Sequence, residues 1–236
     1  MRLNKHLSLS GVCSRRMADN LIKAATTTVN DIVITDPAFN VKKDDVVRYD
    51  GKNIKVNENR IVIMFNKPLG IITTMDDPKN RPIVADFFQS KRRVFPVGRL
   101  DKNTTGLLLI TNNGDLANKL MHPKNLIPKV YEAETDLILD NSIIAKIKKG
   151  VFIGYHQWAK AVVINQKKIK SRILVTLQLH HGKNREIRRL FNKINRKLFS
   201  LKRIRYGELE LGNLPLGNYR ELSKNELNKV QKSIKG

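Results

Sequence analysis

Apolar positions change their period several times along the chain, and those changes mark out its elements. Leu3 and Leu7 fall one helical turn apart with Arg2 and Lys5 off their face, Gly11 can stop that helix, and Ser14 can cap a second one carrying Leu21 and Ile22. β-favouring runs at 28–34 and 46–50 predict two short strands, followed by a polar stretch from 51 to 60. Ile61-Val-Ile-Met-Phe65 opens a new strand that Asn66-Lys67-Pro68-Leu69-Gly70 brings to a stop. Further strands are expected at 94–97 and 107–111, the second closed by an Asn113-Gly114 turn. Asp115 then begins a helix with Leu116, Leu120 and Met121 on one side. A strand over 130–139 leads to a helix over 141–149 with Gly150 as its stop signal. Strands over 151–165 and 171–179 follow, and the latter alternates Ile173, Val175, Leu177 and Leu179. Residues 183–191 read as a helix, and Ser223-Lys-Asn-Glu226 is a capping box that opens a final one.

Composition adds a partner to this pattern. With 41% hydrophobic residues among 236, the chain can bury a real core. Its 45 basic and 21 acidic residues leave a net charge of +24, which calls for a polyanion, either nucleic acid or an anionic membrane surface. No apolar run reaches the length of a membrane span and residues 1–30 lack a signal-peptide core, so nucleic acid in the cytoplasm is the expectation. Cys13 is the single cysteine, and His6, His122, His156, His180 and His181 form no cluster with metal-ligand spacing, so neither a disulfide nor a metal site is expected. The charge is unevenly spread. Residues 1–59 hold ten basic and seven acidic residues, whereas 183–205 hold ten basic residues and one acidic, Glu186. A solvated helix face would alternate signs, and unpaired cations at this density predict contact with phosphates.

One loop could carry chemistry. Asp101 stands between Gly98 and Gly106, flanked by Arg99 and Lys102 and followed by Thr104 and Thr105, just ahead of the apolar run 107–110. A carboxylate in a glycine-bounded loop beside a buried strand can be aimed at a ligand, although an isolated Asp there more often caps a turn. Tyr131, taken alone in its strand, reads as a core residue.

Neighbouring motifs change both readings. Arg2-Leu-Asn-Lys-His-Leu7, Gly11-Val-Cys-Ser-Arg-Arg-Met-Ala-Asp19, Val29-Asn30 and Lys43-Asp-Asp-Val-Val47 resemble the S4 RNA-binding domain. The chain departs from that pattern by placing Asp31 after Val-Asn and Ala25-Thr26 where glycine is common. Gly98-Arg-Leu-Asp101 with Thr105-Gly106-Leu-Leu108, Lys129-Val-Tyr131 and Gly182-Lys-Asn-Arg-Glu-Ile-Arg-Arg189 resemble the signatures of pseudouridine synthases of the ribosomal small-subunit/large-subunit type. The resemblance spans nearly the whole chain and implies an α+β architecture. A small S4 domain over 1–59 would precede a catalytic domain over 60–236 with a mixed, mainly antiparallel sheet flanked by helices. It implies conversion of a specific uridine in ribosomal RNA to pseudouridine by a monomeric enzyme, without metal or organic cofactor.

On that resemblance Asp101 is the nucleophile, whether it attacks the ribose or acts through a glycal. Tyr131 holds the flipped base, and Arg188 pairs with Asp101 to keep it ionised. Arg2, Lys5, Ser14, Arg15 and Arg16 face RNA from the S4 domain. Lys67, Arg99, Lys183, Arg185 and Arg189 do so from the catalytic domain, Arg185 and Arg189 sharing one helix face. Glu186 replaces the Gln common in this motif. Leu120-Met-His-Pro123, Leu201-Lys-Arg-Ile-Arg-Tyr-Gly207 and Leu214-Pro-Leu-Gly217 look most like the enzymes that modify 23S rRNA. The 16S-modifying enzyme and a non-enzymatic ribosome-assembly factor are the alternatives.

Overall fold

A computed structural model of the chain describes residues 1–88 and 93–235. It divides into two compact units, the first built on Met1–Arg60 and the second beginning at Ile61.

In the first unit α1 (Leu3–Leu9) and α2 (Arg15–Lys23) pack beside a four-stranded antiparallel sheet in the order β2-β1-β3-β4. Its strands are β1 (Thr27–Val29), β2 (Ile32–Val33), β3 (Val47–Tyr49) and β4 (Lys52–Asn53). Leu3, Leu7, Ala18, Ile22, Val29 and Val47 form the core, and the Ser14 hydroxyl caps α2 by accepting the Met17 N–H at 3.1 Å. The single strand expected over 28–34 is instead a hairpin. Asn30 (φ 50°) and Asp31 (φ 67°) both take left-handed backbone, which lets a two-residue turn follow the twist of its strands. Asn30 is fastened there, its side-chain oxygen accepting the Val46 N–H and its amide donating to Asp45, each at 2.9 Å. Ala25 also adopts positive φ (58°), so the turn forms without the glycine usual in the pattern.

The second unit contains eleven strands and four α-helices among the described residues. β5 (Val62–Lys67), β6 (Phe95–Pro96) and β7 (Thr105–Thr111) come first, followed by α3 (Gly114–Met121), β8 (Lys129–Thr135) and α4 (Asn141–Lys149). Next are β9 (Val151–Gly154), β10 (Gln157–Ala159), β11 (Val162–Ile169), β12 (Arg172–Leu179) and α5 (Glu186–Lys193). β13 (Leu198–Tyr206), β14 (Leu209–Glu210), β15 (Tyr219–Glu221) and α6 (Lys224–Lys235) complete it. The main sheet runs β11-β12-β8-β13-β7-β5-β15, with β14 beside β13 and β6 beside β7. Every pairing in it is antiparallel except β7 with β13. The α+β class and mixed sheet expected from the sequence are therefore present.

The apolar runs in β5 and β7 are continuous because both faces of the sheet are covered there. Met64, Leu107 and Leu109 face α3 and α6, while Ile63, Phe65, Leu108 and Ile110 face the other way onto Val84 and Leu100. A third cluster places α4 and α5 against Ala133, Val175, Leu177 and Leu201. Three local expectations change. Asn113 is the N-cap of α3, its side chain accepting the Leu116 N–H at 3.1 Å, and the Asn-Gly pair makes no hairpin. The stretch 151–165 folds into the β9–β10 hairpin and the start of β11, broken at Tyr155 (φ 50°) and His156 (φ 54°). The helix expected from 183 begins only at Glu186, because Arg185 at the N-cap takes left-handed backbone (φ 48°).

Candidate active site

The loop carrying Asp101 runs from β6 into β7, beside the one parallel strand junction. Gly106 sits where β7 meets β13, with φ +103°, and a Cβ there would lie 2.2 Å from the Arg203 carbonyl oxygen. Only glycine permits that approach. The preceding residues close a turn in which the Asp101 carbonyl accepts the Thr104 N–H at 2.9 Å.

This turn is held by its backbone from several directions. The buried Thr73 hydroxyl donates to the Leu100 carbonyl at 2.7 Å and accepts the Leu100 N–H at 3.2 Å. Lys67, with no exposed surface, aims its ammonium into the loop and donates to the carbonyls of Pro68 (2.9 Å), Thr104 (3.0 Å) and Lys102 (3.5 Å). The Gly70 N–H adds a second bond to Lys102. From α5, Arg188 Nη2 donates to the Asn103 carbonyl at 2.5 Å and the Thr104 hydroxyl at 3.4 Å. The Asp101 side chain is left half-buried at the mouth of a cleft of about 500 Å³ that Tyr131, Arg185 and Arg188 also line.

Two cations feel its charge. Burial draws the Lys67 ammonium down to about 8, an effect the Asp101 carboxylate opposes. Burial first, and then the neighbouring Arg185, also lower Arg188, again against Asp101. The pairing of Arg188 with the Asp101 carboxylate expected from the sequence is not what forms. Among the described residues no ion pair joins them, because the turn presents the Asn103 carbonyl to α5 and the guanidinium bonds there instead.

Tyr131 lies on β8 opposite Leu177 of β12 and Arg203 of β13, half-buried between two core clusters. Two residues earlier, Lys129 donates to the carbonyls of Ile127 (2.9 Å) and His180 (3.4 Å), and burial lowers it to about 8. The nearby Arg203 lowers it further, while Glu186 opposes the fall. Glu186 itself is buried at the start of α5, its Oε2 accepting the Lys183 N–H at 2.9 Å. The positive end of the helix suits a carboxylate there.

Several residues expected to meet RNA have protein partners instead. Lys67 is wholly buried in the loop clamp. Arg189 donates to the carbonyls of Ile153 (2.9 and 2.6 Å), Gly154 (2.7 Å) and Asn184 (3.1 Å) and to Gln157 Oε1 (2.9 Å). It is thus spent on fixing β9 and β10 to α5. Arg185 precedes the helix and shares no helical face with it. The Lys183 ammonium bonds the Trp158 carbonyl. Arg203, inside the basic run, is buried and donates to the Leu107 carbonyl at 2.7 Å. Arg99 and Arg185 remain exposed at the cleft, and Arg2, Ser14, Arg15 and Arg16 are exposed on the first unit, where Lys5 is half-buried. Thr73 escaped sequence reasoning, since a threonine in a polar loop gives no sign that its hydroxyl will meet residue 100.

A small two-helix, four-stranded unit is thus followed by an α+β unit whose cleft is lined by a clamped aspartate and several cations. Residues 61–193 match the RNA pseudouridylate synthase family and residues 1–47 match the S4 domain. Ribosomal large subunit pseudouridine synthase B of Bacillus subtilis is 37% identical, covering 98% of this chain and 95% of its own length. Dual-specificity RNA pseudouridine synthase RluF of Escherichia coli K12 is 36% identical over 96% of this chain and 77% of its own. A crystal structure of a pseudouridylate synthase shares the fold, with a TM-score of 0.68 at 22% identity and coverage of 98% and 99%. The chain belongs to the RNA pseudouridylate synthase family, and it is an enzyme.

Proposed function

We propose that this enzyme converts a uridine of large-subunit (23S) ribosomal RNA to pseudouridine, with Asp101 as nucleophile. The observation that carries the reading is the Asp101 turn, which places Asp101 in the lining of the cleft while its backbone is bonded from Lys67, Thr73, Gly70 and Arg188. A group that must attack one atom of a flipped nucleotide gains most from such fixation.

The target uridine leaves its stack and enters the cleft, where Tyr131 offers a ring face to the base. The Asp101 carboxylate either attacks C1′ or removes the C2′ proton to leave a glycal. In both routes the C1′–N1 bond breaks and its electrons leave with the uracil. The base turns and C5 bonds to C1′, as the Asp101–C1′ ester bond breaks in the first route or as the abstracted proton returns to C2′ in the second. The C5 proton then passes to N1 as aromatic conjugation is restored. Product and substrate are isomers, so the atoms balance without a co-substrate. Arg99 and Arg185, exposed at the cleft, meet the phosphates on either side, and the S4 unit supplies further RNA contacts.

The large-subunit assignment is supported by the Bacillus subtilis relative, whose name states that target. Mapping pseudouridines in both ribosomal RNAs from cells with and without this gene tests it. Loss of a 23S site alone is expected. A lost 16S site would reassign the target, and no lost site would favour an assembly role.

A further inference from the structure

The β9–β10 hairpin turns two large aromatic rings away from the core. Phe152 and Trp158 are cross-strand partners, 46% and 57% exposed, with ring centroids 5.6 Å apart. Their neighbours Val151, Ile153 and Ala159 face the opposite way and are buried, so strand alternation sets the pair outward. The hairpin is also tethered from α5 and the segment before it. Arg189 bonds the carbonyls of Ile153 and Gly154 and lies over the Tyr155 ring at 5.1 Å, and Lys183, which lines the cleft, bonds the Trp158 carbonyl. The surrounding sequence carries a net positive charge. Residues 141–185 carry ten Lys/Arg and no Asp or Glu.

We propose that Phe152 and Trp158 form a stacking platform for unpaired RNA bases next to the target uridine, held in line with the cleft by Lys183. The inference rests on the pseudouridine synthase reading for the position of the target. Aromatic faces bind bases of any sequence, and flanking cations neutralise the backbone that connects them. The absence of acidic residues over 141–185 favours RNA over a basic protein surface or a second copy of this equally basic chain.

Trp158 is the chain's one tryptophan, so its emission reports on this platform alone. The full-length protein is titrated, at one salt concentration, with an oligouridylate of about ten nucleotides and with an RNA duplex of the same length. The single strand should quench the emission to saturation and the duplex should not. By anisotropy of labelled oligouridylate, the double variant Phe152→Leu/Trp158→Leu should bind at least about fivefold more weakly, whereas Trp158→Phe should bind like the parent. Leucine keeps apolar bulk but removes the ring face, so an unchanged circular dichroism spectrum separates lost stacking from lost fold. Unchanged emission, equal quenching by duplex, or parental affinity in the double variant would overturn the proposal. So would emission that changes with protein concentration alone, which would mark the pair as a self-association surface. Isomerisation of rRNA by the parent is assayed separately. A parent that binds the strand through Trp158 but makes no pseudouridine would sink the enzyme reading and leave the platform standing.

Discussion

Lys67 has no exposed surface, yet its ammonium reaches three carbonyls on and beside the turn that carries Asp101. Lys67→Met should leave RNA affinity near the parent's and lower the single-turnover rate by up to about a hundredfold, because the loop loses its rear brace. Stability offers a second test. The folded chain releases the Lys67 proton near pH 8, whereas an unfolded lysine holds it to about 10.5. Between those values the unfolded state binds more protons, so Lys67 makes the parent more stable as pH rises. Lys129 acts in the same direction. Denaturant unfolding of parent and Lys67→Met from pH 8 to 10 should therefore show the parent gaining on the variant; parallel curves would count against a charged, buried Lys67. Asp101→Asn keeps the size of the side chain and removes the nucleophile, so binding should persist while isomerisation falls to background. Turnover by that variant would end the proposed role.

At the scale of elements, α5 works as a two-sided clamp. Its Arg188 holds the Asp101 turn and its Arg189 holds β9 and β10. Arg188→Lys retains a charge but loses the longer, rigid guanidinium whose Nη2 reaches both Asn103 and Thr104, so the rate should fall by about a hundredfold with little change in substrate affinity. Near-parental single-turnover kinetics would show that the loop does not depend on this grip. The β7–β13 junction is equally specific. Gly106→Ala places a methyl against the Arg203 backbone at positive φ, and thermal or denaturant unfolding should show a loss of about 3 kcal/mol or more.

For the whole molecule, charge and division into units govern RNA binding. Residues 1–59 carry little of the net charge, so deleting the first unit should reduce affinity through lost shape recognition more than through lost cations. The slope of log affinity against log salt should stay close to the parent's while affinity for rRNA drops. A large fall in slope would mean that the first unit supplies most of the phosphate contacts.

Much was legible before any coordinates. α4 begins at Asn141, ends at Lys149 and stops at Gly150 as its apolar spacing and stop signal indicate, and β12 buries Val175, Leu177 and Leu179 of its alternating set, with Ile173 partly buried. Ser14 and the Ser223–Glu226 box cap the helices that they precede. Such features are local, set by side chains within four residues of one another. The sequence by itself also pointed to the family, through motifs around Asp101, Tyr131 and Arg188 that no packing argument is needed to see. Tertiary structure decided what each cation does. Lys67, Arg189 and Arg203 are indistinguishable in sequence from phosphate-binding residues, and only the folded chain shows that their hydrogen bonds go to its own carbonyls. Thr73 joins the site for the same reason. Its partner at residue 100 is distant along the chain, and contacts of that kind arise from the path of loops around a sheet, which no short pattern encodes.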